Sequence, residues 1–322
     1  MPVSRSAGSK RCNIETLPLN KIATTAELGK ERAELRPAGQ PDAAVPAWAE
    51  TQPAAHPLNR HGWPSRLRSY FILDPLIWAY TLVLGTISLV CSLFERNGRV
   101  QHNCARLWSR LIMKTILSPV KVTGMDMDKD KIDTSKKPRV YAVTHASAFD
   151  IPILYVNLPF QFRIIFKSEL LAYPFIGWHL KRSGQVCINQ QNPAASIGAI
   201  KSALRSLRSG MPLVIFPEGG RTRDGQLQPF LPGAFFLAIK AQADIVPIAL
   251  IGTFDLLPMN TYHIKCQPLE MRVGQPISTA GLTVRDTDGV SAKVKSAIET
   301  LQSAPGSTLG QPRNAAATTM IT

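Results

Sequence analysis

The sequence predicts an α/β protein with a mixed, largely parallel sheet flanked by helices and an N-terminal membrane-anchoring helical segment. Three observations support this fold class. From Val120 onward, short apolar stretches rich in β-branched residues alternate with helix-forming stretches. Polar residues begin where two of these apolar stretches end, as expected at the carboxyl edge of a parallel sheet. An uncharged apolar run, residues 76–94, precedes the alternating region.

Composition limits the classes of partner. The chain has 322 residues, 45% of them hydrophobic, which is enough for one sizeable domain or two small ones. Its net charge of +15 indicates an anionic partner such as nucleic acid, acidic lipid or a polyanionic coenzyme. No zinc-finger spacing or RNP-like aromatic block is present, so we expect no nucleic acid. The 5 scattered cysteines favour a reducing compartment over a disulfide framework.

The chain divides into four predicted regions. Residues 1–62 are rich in Pro, Ala, Glu and Arg without an apolar period, which predicts a disordered extension with no cleaved secretory signal. Residues 63–118 are predicted to form a membrane-associated helical segment, and residues 119–303 the α/β domain. The small, polar residues 304–322 predict a disordered tail.

The membrane-associated segment contains two predicted helices. The run 76–94 is flanked by aromatic residues and arginines that suit a membrane interface, and Asp74-Pro75 favours a kink, so a spanning and a re-entrant helix both remain open. The second helix, 104–117, has apolar and basic residues on different faces: Leu107, Leu111 and Ile112 against Arg106, Arg110 and Lys114. This pattern suits anionic headgroups, and packing on the soluble domain is the alternative.

The α/β domain is predicted to contain strands separated by helices. The strands are apolar runs at Val120–Thr123, 139–144, 162–166, 185–188, 212–216, 245–251 and 271–273. Helices are predicted at 193–209, 232–242 and 290–302. The first is the clearest, because Asn192 and Pro193 suit its start, an apolar stripe runs along it, and Gly210 follows its end.

The strand predicted at 139–144 is followed at once by His145 and, five positions later, by Asp150. On a regular helix this spacing puts two side chains about 140° apart, so they can meet only across a turn. A carboxylate that holds one ring nitrogen fixes the tautomer and makes the histidine a stronger base towards a hydroxyl. Alternatively, Asp150 before Ile151-Pro152 is a helix N-cap and His145 bonds to the backbone.

A second polar motif, Phe216-Pro-Glu218-Gly219-Gly220-Arg221, follows the strand predicted at 212–216. The glycines let backbone amides approach an anion, and arginine can bind phosphate through two parallel hydrogen bonds. The alternative is a solvated turn rich in glycine and charge. Lys167, just after the strand predicted at 162–166, is a second candidate cation or else a surface lysine.

Together the two motifs resemble the glycerolipid acyltransferase family, which includes the 1-acylglycerol-3-phosphate acyltransferases. The family's first block, a histidine and an aspartate separated by four residues, is matched by His145 and Asp150. Its third block, Phe-Pro-Glu-Gly-Thr-Arg-Ser, is matched at 216–222, with Gly220 in the usual threonine place. Pro247 matches the fourth block, whereas Gln190 stands where the second usually ends in arginine. The resemblance covers about residues 70–280.

The resemblance implies transfer of a fatty acyl group from acyl-CoA or acyl-carrier protein to the sn-2 hydroxyl of lysophosphatidic acid, giving phosphatidic acid. His145 would remove the hydroxyl proton and Asp150 would orient the ring, while the acceptor site would be shaped by Glu218, Gly219, Gly220 and Arg221. Because the thioester is already activated, we expect no cofactor, metal or covalent acyl-enzyme. The expected partners are these substrates and an anionic membrane surface, with the catalytic domain on the cytoplasmic side.

Other functions remain open at this stage. An acyltransferase for glycerol-3-phosphate or a lyso-aminolipid would keep His145 and Asp150 and change the acceptor pocket. A catalytically silent membrane-binding module would keep only the fold, and the intact motifs argue against it. A hydrolase is disfavoured because the chain lacks a Gly-x-Ser-x-Gly nucleophile turn.

Overall fold

The computed structural model describes residues 63–95, 97–125, 139–189 and 196–304. The predicted disordered extension, nearly all of the predicted tail, and Gln190 with the predicted start of the helix at 193–209 lie outside these residues.

A seven-stranded sheet lies at the centre of the fold, in the order β1-β7-β6-β2-β5-β3-β4. Its strands are β1 Val120–Thr123, β2 Arg139–Val143, β3 Arg163–Lys167, β4 Val186–Ile188, β5 Leu213–Ile215, β6 Asp244–Ile251 and β7 Leu269–Val273. Strands β6 and β7 pair antiparallel, whereas the other described strand pairs are parallel. The prediction of a mixed, largely parallel sheet is therefore confirmed, and each strand end lies within about two residues of its predicted position.

The described helices are α1 Trp63–Arg68, α2 Asp74–Cys91, α3 Arg99–Ile116, α4 Asp150–Asn157, α5 Ile176–Arg182, α6 Ile197–Arg208, α7 Phe236–Ala241, α8 Thr253–Leu256 and α9 Thr287–Ser303. A π-helical turn, Ser69–Leu73, joins α1 to α2. Three 3₁₀ turns are Ser168–Ala172, Pro232–Phe235 and Val284–Asp286. The helices predicted at 232–242 and 290–302 are confirmed. Helices α5 and α8 had no predicted counterpart, and a helix beginning near Asp150, as α4 does, was expected only in the alternative interpretation of Asp150 as an N-cap.

The sheet separates two apolar cores, because successive residues of a strand point to opposite faces. On one face, Tyr141 and Val143 of β2 pack with residues of α3 and α4. On the other face, Val140 and Ala142 pack with residues of α6, α7 and α9. Both faces of the sheet are therefore covered, which explains why the parallel strands read as continuous apolar runs in the sequence.

The N-terminal helix, Trp63–Cys91, is 29 residues long and is the one helix in the described part of the chain that is long and apolar enough to cross a membrane. Only 17% of its most apolar stretch is buried. Its exposed large apolar residues include Trp63, Phe71, Ile72, Trp78, Leu82, Val83, Ile87 and Val90.

Three hydroxyl groups of this helix bond to side chains outside it. Ser65 Oγ lies 3.0 Å from His263 Nε2, and Ser88 Oγ lies 2.8 Å from His179 Nδ1 of α5. Between them, Thr81 Oγ1 accepts a 3.0 Å hydrogen bond from the indole of Trp108 in α3. Polar contacts therefore join the helix to the protein along its length, beside the apolar contacts that Leu73, Ile77 and Tyr80 make with the core.

Arg106 corrects the predicted faces of the second helix. The prediction grouped Arg106 with the outward residues Arg110 and Lys114, but its guanidinium donates to the carbonyls of Tyr155, at 3.1 Å, of Leu158, and of Phe160, at 3.3 Å. Arg106 follows the buried stripe of α3, which includes His102, Ser109, Met113 and Ile116. Leu107, expected on the packed face, is 47% exposed. The alternative of a helix packed on the domain therefore describes α3.

We expect Arg106→Ala to lower the free energy of unfolding by about 2 kcal/mol, because it leaves carbonyls at the end of α4 without their charged donor. Arg110→Ala removes an exposed charge from the same helix and should change it by less than about 0.5 kcal/mol. Chemical denaturation of both variants in the same detergent micelles would measure this. Equal losses would contradict a specific role for Arg106.

Candidate active site

Two loops at the carboxyl edge of the sheet form the candidate site: residues 144–149 after β2 and residues 216–231 after β5. Because β2 and β5 are parallel neighbours, both loops leave the sheet at the same edge. The loops are joined through their backbones, since the Thr222 N–H donates to the His145 carbonyl at 2.9 Å. The two motifs recognised in the sequence are therefore in direct contact.

His145 and Asp150 meet across the turn, as the sequence predicts. Nδ1 of His145 lies 2.8 Å from Oδ2 of Asp150, which is fully buried. Because an ionised carboxylate can only accept a hydrogen bond, this contact places the ring proton on Nδ1 and leaves Nε2 as the basic nitrogen. The histidine side chain is 18% exposed, so the base is open to a substrate at one side.

The same Asp150 oxygen also orders the loop. Oδ2 accepts hydrogen bonds from the backbone N–H groups of Ala146, at 2.8 Å, and Ser147, at 2.9 Å. Asp150 is the first residue of α4, with Phe149 at the N-cap position and no side-chain cap hydrogen bond there. The alternative interpretation of Asp150 as a helix cap is therefore wrong, because its carboxylate turns back towards the preceding loop.

The imidazole ring is also fixed by packing. It stacks on the ring of Phe216, with the centroids 4.1 Å apart and the planes 22° from parallel. Phe216 is the first residue of the second motif and packs partly against the core. The stacking and the Asp150 hydrogen bond together define the plane of the ring, which a base requires for directed proton transfer.

Glu218 binds the backbone of the first loop. Its Oε1 accepts from the His145 N–H at 2.6 Å and its Oε2 from the Gln228 N–H at 3.0 Å. Burial raises the pKa of Glu218 to about 7, although the hydrogen bonds from Gln228 and His145 act in the opposite direction. The assignment of Glu218 to the acceptor site stays a prediction, and its hydrogen bond to the His145 N–H also lets it position His145.

The remaining predicted site residues are Gly219, Gly220, Arg221 and Lys167. Gly219 has a φ of 70°, a left-handed conformation that glycine adopts without strain. A Cβ atom on Gly220 would lie 3.5 Å from Nζ of Lys167, so the two candidate segments approach each other here. Arg221 is half-buried. Within the described residues, neither Lys167 nor Arg221 forms an ion pair with an acidic side chain.

Several residues that support the site had not been identified as candidates from the sequence. Thr144 Oγ1 accepts from the Leu250 N–H at 2.9 Å, which ties the start of the first loop to β6. Thr222 Oγ1 and Gln228 Nε2 both donate to Oδ1 of Asp224, at 2.7 Å and 3.1 Å, and so close the second loop. The Thr-x-Asp spacing is a local turn signal, whereas the Gln228 contact depends on tertiary structure.

Comparison with known proteins identifies relatives. Residues 119–251 match the family model described as Acyltransferase. A chloroplastic 1-acyl-sn-glycerol-3-phosphate acyltransferase of Brassica napus is 31% identical over 220 residues, which are 67% of this chain and 62% of the relative. A 1-acyl-sn-glycerol-3-phosphate acyltransferase of Saccharomyces cerevisiae is 27% identical, over 65% of this chain and 68% of the relative. This chain spans 62% of the length of the Brassica relative and of its Arabidopsis thaliana counterpart.

A solved structure supports the fold. The crystal structure of the 1-acyl-sn-glycerophosphate acyltransferase of Thermotoga maritima matches with a TM-score of 0.59 and 21% sequence identity. The match covers 76% of this chain and 97% of that chain. It confirms the predicted α/β architecture.

The raised pKa of Glu218 predicts a pH-dependent stability. The carboxyl has a pKa of 4.5 in the unfolded chain and about 7 in the fold, so its contribution is fully present below pH 4.5 and is lost as the pH rises through about 7. The difference in free energy of unfolding between wild type and Glu218→Gln should therefore fall between these pH values and stay constant above them. Glu299→Gln is the exposed control. A pH-independent difference for Glu218→Gln would show that its two backbone hydrogen bonds cancel the effect of burial, and a difference that rises with pH would show that they outweigh it.

Proposed function

We propose that the chain is an acyltransferase of the family whose model matches residues 119–251, and that it transfers a fatty acyl group from acyl-CoA or acyl-carrier protein to the sn-2 hydroxyl of 1-acylglycerol-3-phosphate. The product is phosphatidic acid. The observation that carries this proposal is the 2.8 Å contact between Nδ1 of His145 and the buried Asp150. The names of the plant and yeast relatives support the choice of acceptor.

The chemistry follows from the tautomer of His145. Nε2 takes the proton of the sn-2 hydroxyl as its oxygen attacks the thioester carbonyl carbon, and Asp150 stabilises the imidazolium that forms. The tetrahedral intermediate then collapses, the C–S bond breaks, and the leaving thiolate takes the proton from Nε2. The histidine is restored, so the cycle needs no resident cofactor, metal or covalent acyl-enzyme.

Lys167 and Arg221 are suited to the acceptor phosphate. In lysophosphatidic acid only a short C–C–O link separates the sn-2 oxygen from the phosphate, so the phosphate must bind close to the base. Lys167 approaches Gly220, the residue before Arg221. Gly220 and Arg221 lie in the loop 216–231, which is bonded to the His145 carbonyl through the Thr222 N–H. A lysine and an arginine that form no ion pair with an acidic side chain in the described part of the chain favour a phosphate monoester over a lyso-aminolipid.

The N-terminal helix supports membrane association, and we propose that the catalytic domain lies on the cytoplasmic side. Ser65 and Ser88 bind the domain at positions roughly 34 Å apart along the helix. A helix held along this length cannot cross a bilayer while the domain stays in water, so we favour insertion into one leaflet. The exposed Arg110 and Lys114 of α3 would face anionic headgroups.

The first test is acyl transfer from oleoyl-CoA to lysophosphatidic acid by membranes that contain wild type or His145→Ala in equal amounts, with glycerol-3-phosphate as a competing acceptor. We expect wild type to form phosphatidic acid and the variant to lose about a thousandfold in rate, because the base is absent. Transfer to glycerol-3-phosphate instead would keep the chemistry and change the substrate. Equal rates would exclude His145 as the base.

A second test concerns the phosphate. Arg221→Lys keeps the charge and loses the planar guanidinium, so we expect the KM for lysophosphatidic acid to rise about tenfold with a smaller change in kcat. Arg205→Lys is the matched control, because Arg205 is exposed on α6. An unchanged KM would show that Arg221 does not bind the ground-state phosphate.

A further inference from the structure

An exposed apolar ridge follows directly after Lys167. It is formed by Leu170, Tyr173, Ile176 and Trp178, which are 40%, 56%, 38% and 52% exposed. The ridge lies on the 3₁₀ turn Ser168–Ala172, on the start of α5, and on the short connection between them. Two of its four side chains are aromatic with a polar group, the type that collects at membrane–water interfaces. Neither proton transfer nor phosphate binding accounts for these exposed side chains.

The ridge is built on a close-packed segment. A Cβ atom on Gly177 would lie 2.5 Å from the carbonyl oxygen of Leu171, so α5 packs against the preceding 3₁₀ turn without space for a side chain. Phe175, between the two, has a φ of 59°. Such a conformation is strained for a residue other than glycine and persists only where the surroundings hold it. The apolar residues are therefore presented in a fixed arrangement.

The ridge also adjoins the N-terminal helix. Phe175 packs at Gly85 of α2, where an added Cβ would lie 3.5 Å from the Phe175 Cβ. His179 binds Ser88 at 2.8 Å, and the Arg182 guanidinium lies 3.4 Å from Ser92 Oγ. The exposed apolar side of α2 and the ridge are thus joined by direct contacts. If α2 inserts into a membrane, the ridge therefore also contacts that membrane.

The charges around the ridge fit a membrane with anionic headgroups. Lys181 and Arg182 are exposed within one turn after Trp178. Basic side chains at this distance from an inserted aromatic residue reach headgroup phosphates. The one acidic residue of the segment, Glu169, lies at the other end, two positions after Lys167. The basic end therefore points away from the active site and towards the end of α2.

We propose that the ridge enters the same leaflet as α2 and is the path by which the lysophospholipid reaches the site. This inference rests on the proposed function. The acceptor moves laterally from the leaflet along the ridge until its phosphate reaches Lys167, while its acyl chain remains against Leu170 and Tyr173. A path through water is far less favourable, because each methylene withdrawn from the bilayer costs about a fourfold factor in the equilibrium constant.

Membrane contact is tested without reference to activity. The full chain is reconstituted in vesicles of phosphatidylcholine and phosphatidylglycerol with brominated acyl chains, and the fluorescence of Trp178 is obtained as the difference between wild type and Trp178→Phe. We expect this difference signal to be quenched by chains brominated near the headgroup. The control is Val284→Trp, because Val284 is 40% exposed and lies in the 3₁₀ turn before α9, a helix that packs on the face of the sheet opposite to α3. If the Trp178 signal is quenched no more than the signal of the control tryptophan, the proposal is overturned.

The path itself is tested with two acceptors. One is 1-oleoylglycerol-3-phosphate in vesicles, and the other is water-soluble 1-hexanoylglycerol-3-phosphate. The double variant Tyr173→Ser/Trp178→Ser should lower the ratio of the oleoyl rate to the hexanoyl rate about tenfold, whereas Val284→Ser should leave this ratio within about twofold. An unchanged ratio in the double variant would refute the path.

The two proposals fail in different ways. If wild type acylates neither lysophospholipid, the proposed function is wrong whatever the fluorescence shows. If wild type acylates both and the double variant keeps the wild-type ratio, the function stands and only the access path is wrong.

Discussion

The candidate site depends on two carboxylates that hold the irregular loop after β2. This loop carries the base and forms no regular secondary structure, so its backbone amides need acceptors from elsewhere. Glu218 accepts from His145, while one oxygen of Asp150 accepts from Ala146, Ser147 and the imidazole. Each buried amide left without an acceptor would cost about 1–3 kcal/mol. The groups that prepare the base for catalysis therefore also determine the conformation of its loop.

The strand order makes this arrangement possible. Strands β2, β5 and β3 are consecutive parallel neighbours in the sheet. Their carboxyl ends lie side by side, and they bring together His145 after β2, the Glu218 motif after β5 and Lys167 at the end of β3. These residues come from three separate parts of the sequence. A strand inserted between β2 and β5, or between β5 and β3, would move the base away from the cations.

The sequence predicts the sheet well and the contacts between loops less well. Strands buried on both faces are continuous apolar runs, which local pattern reveals. Helix α4 was expected only as an alternative, through the N-cap interpretation of Asp150, because five of its eight residues are buried and it lacks an amphipathic period. The role of Glu218 depends on Gln228, ten positions later, and on His145, in another loop. Local sequence therefore indicates which groups carry chemistry, whereas their partners depend on the tertiary fold.

Helix α4 connects the N-terminal segment to the base. With eight residues it is too short to be stable in isolation. Asp150 is its first residue, where the positive end of the helix dipole stabilises a negative charge. At the other end, Arg106 of α3 binds backbone carbonyls. Each end thus carries the charge that the dipole favours. Because Asp150 also holds His145, the packing of α3 on the domain fixes the position of the base through one short helix.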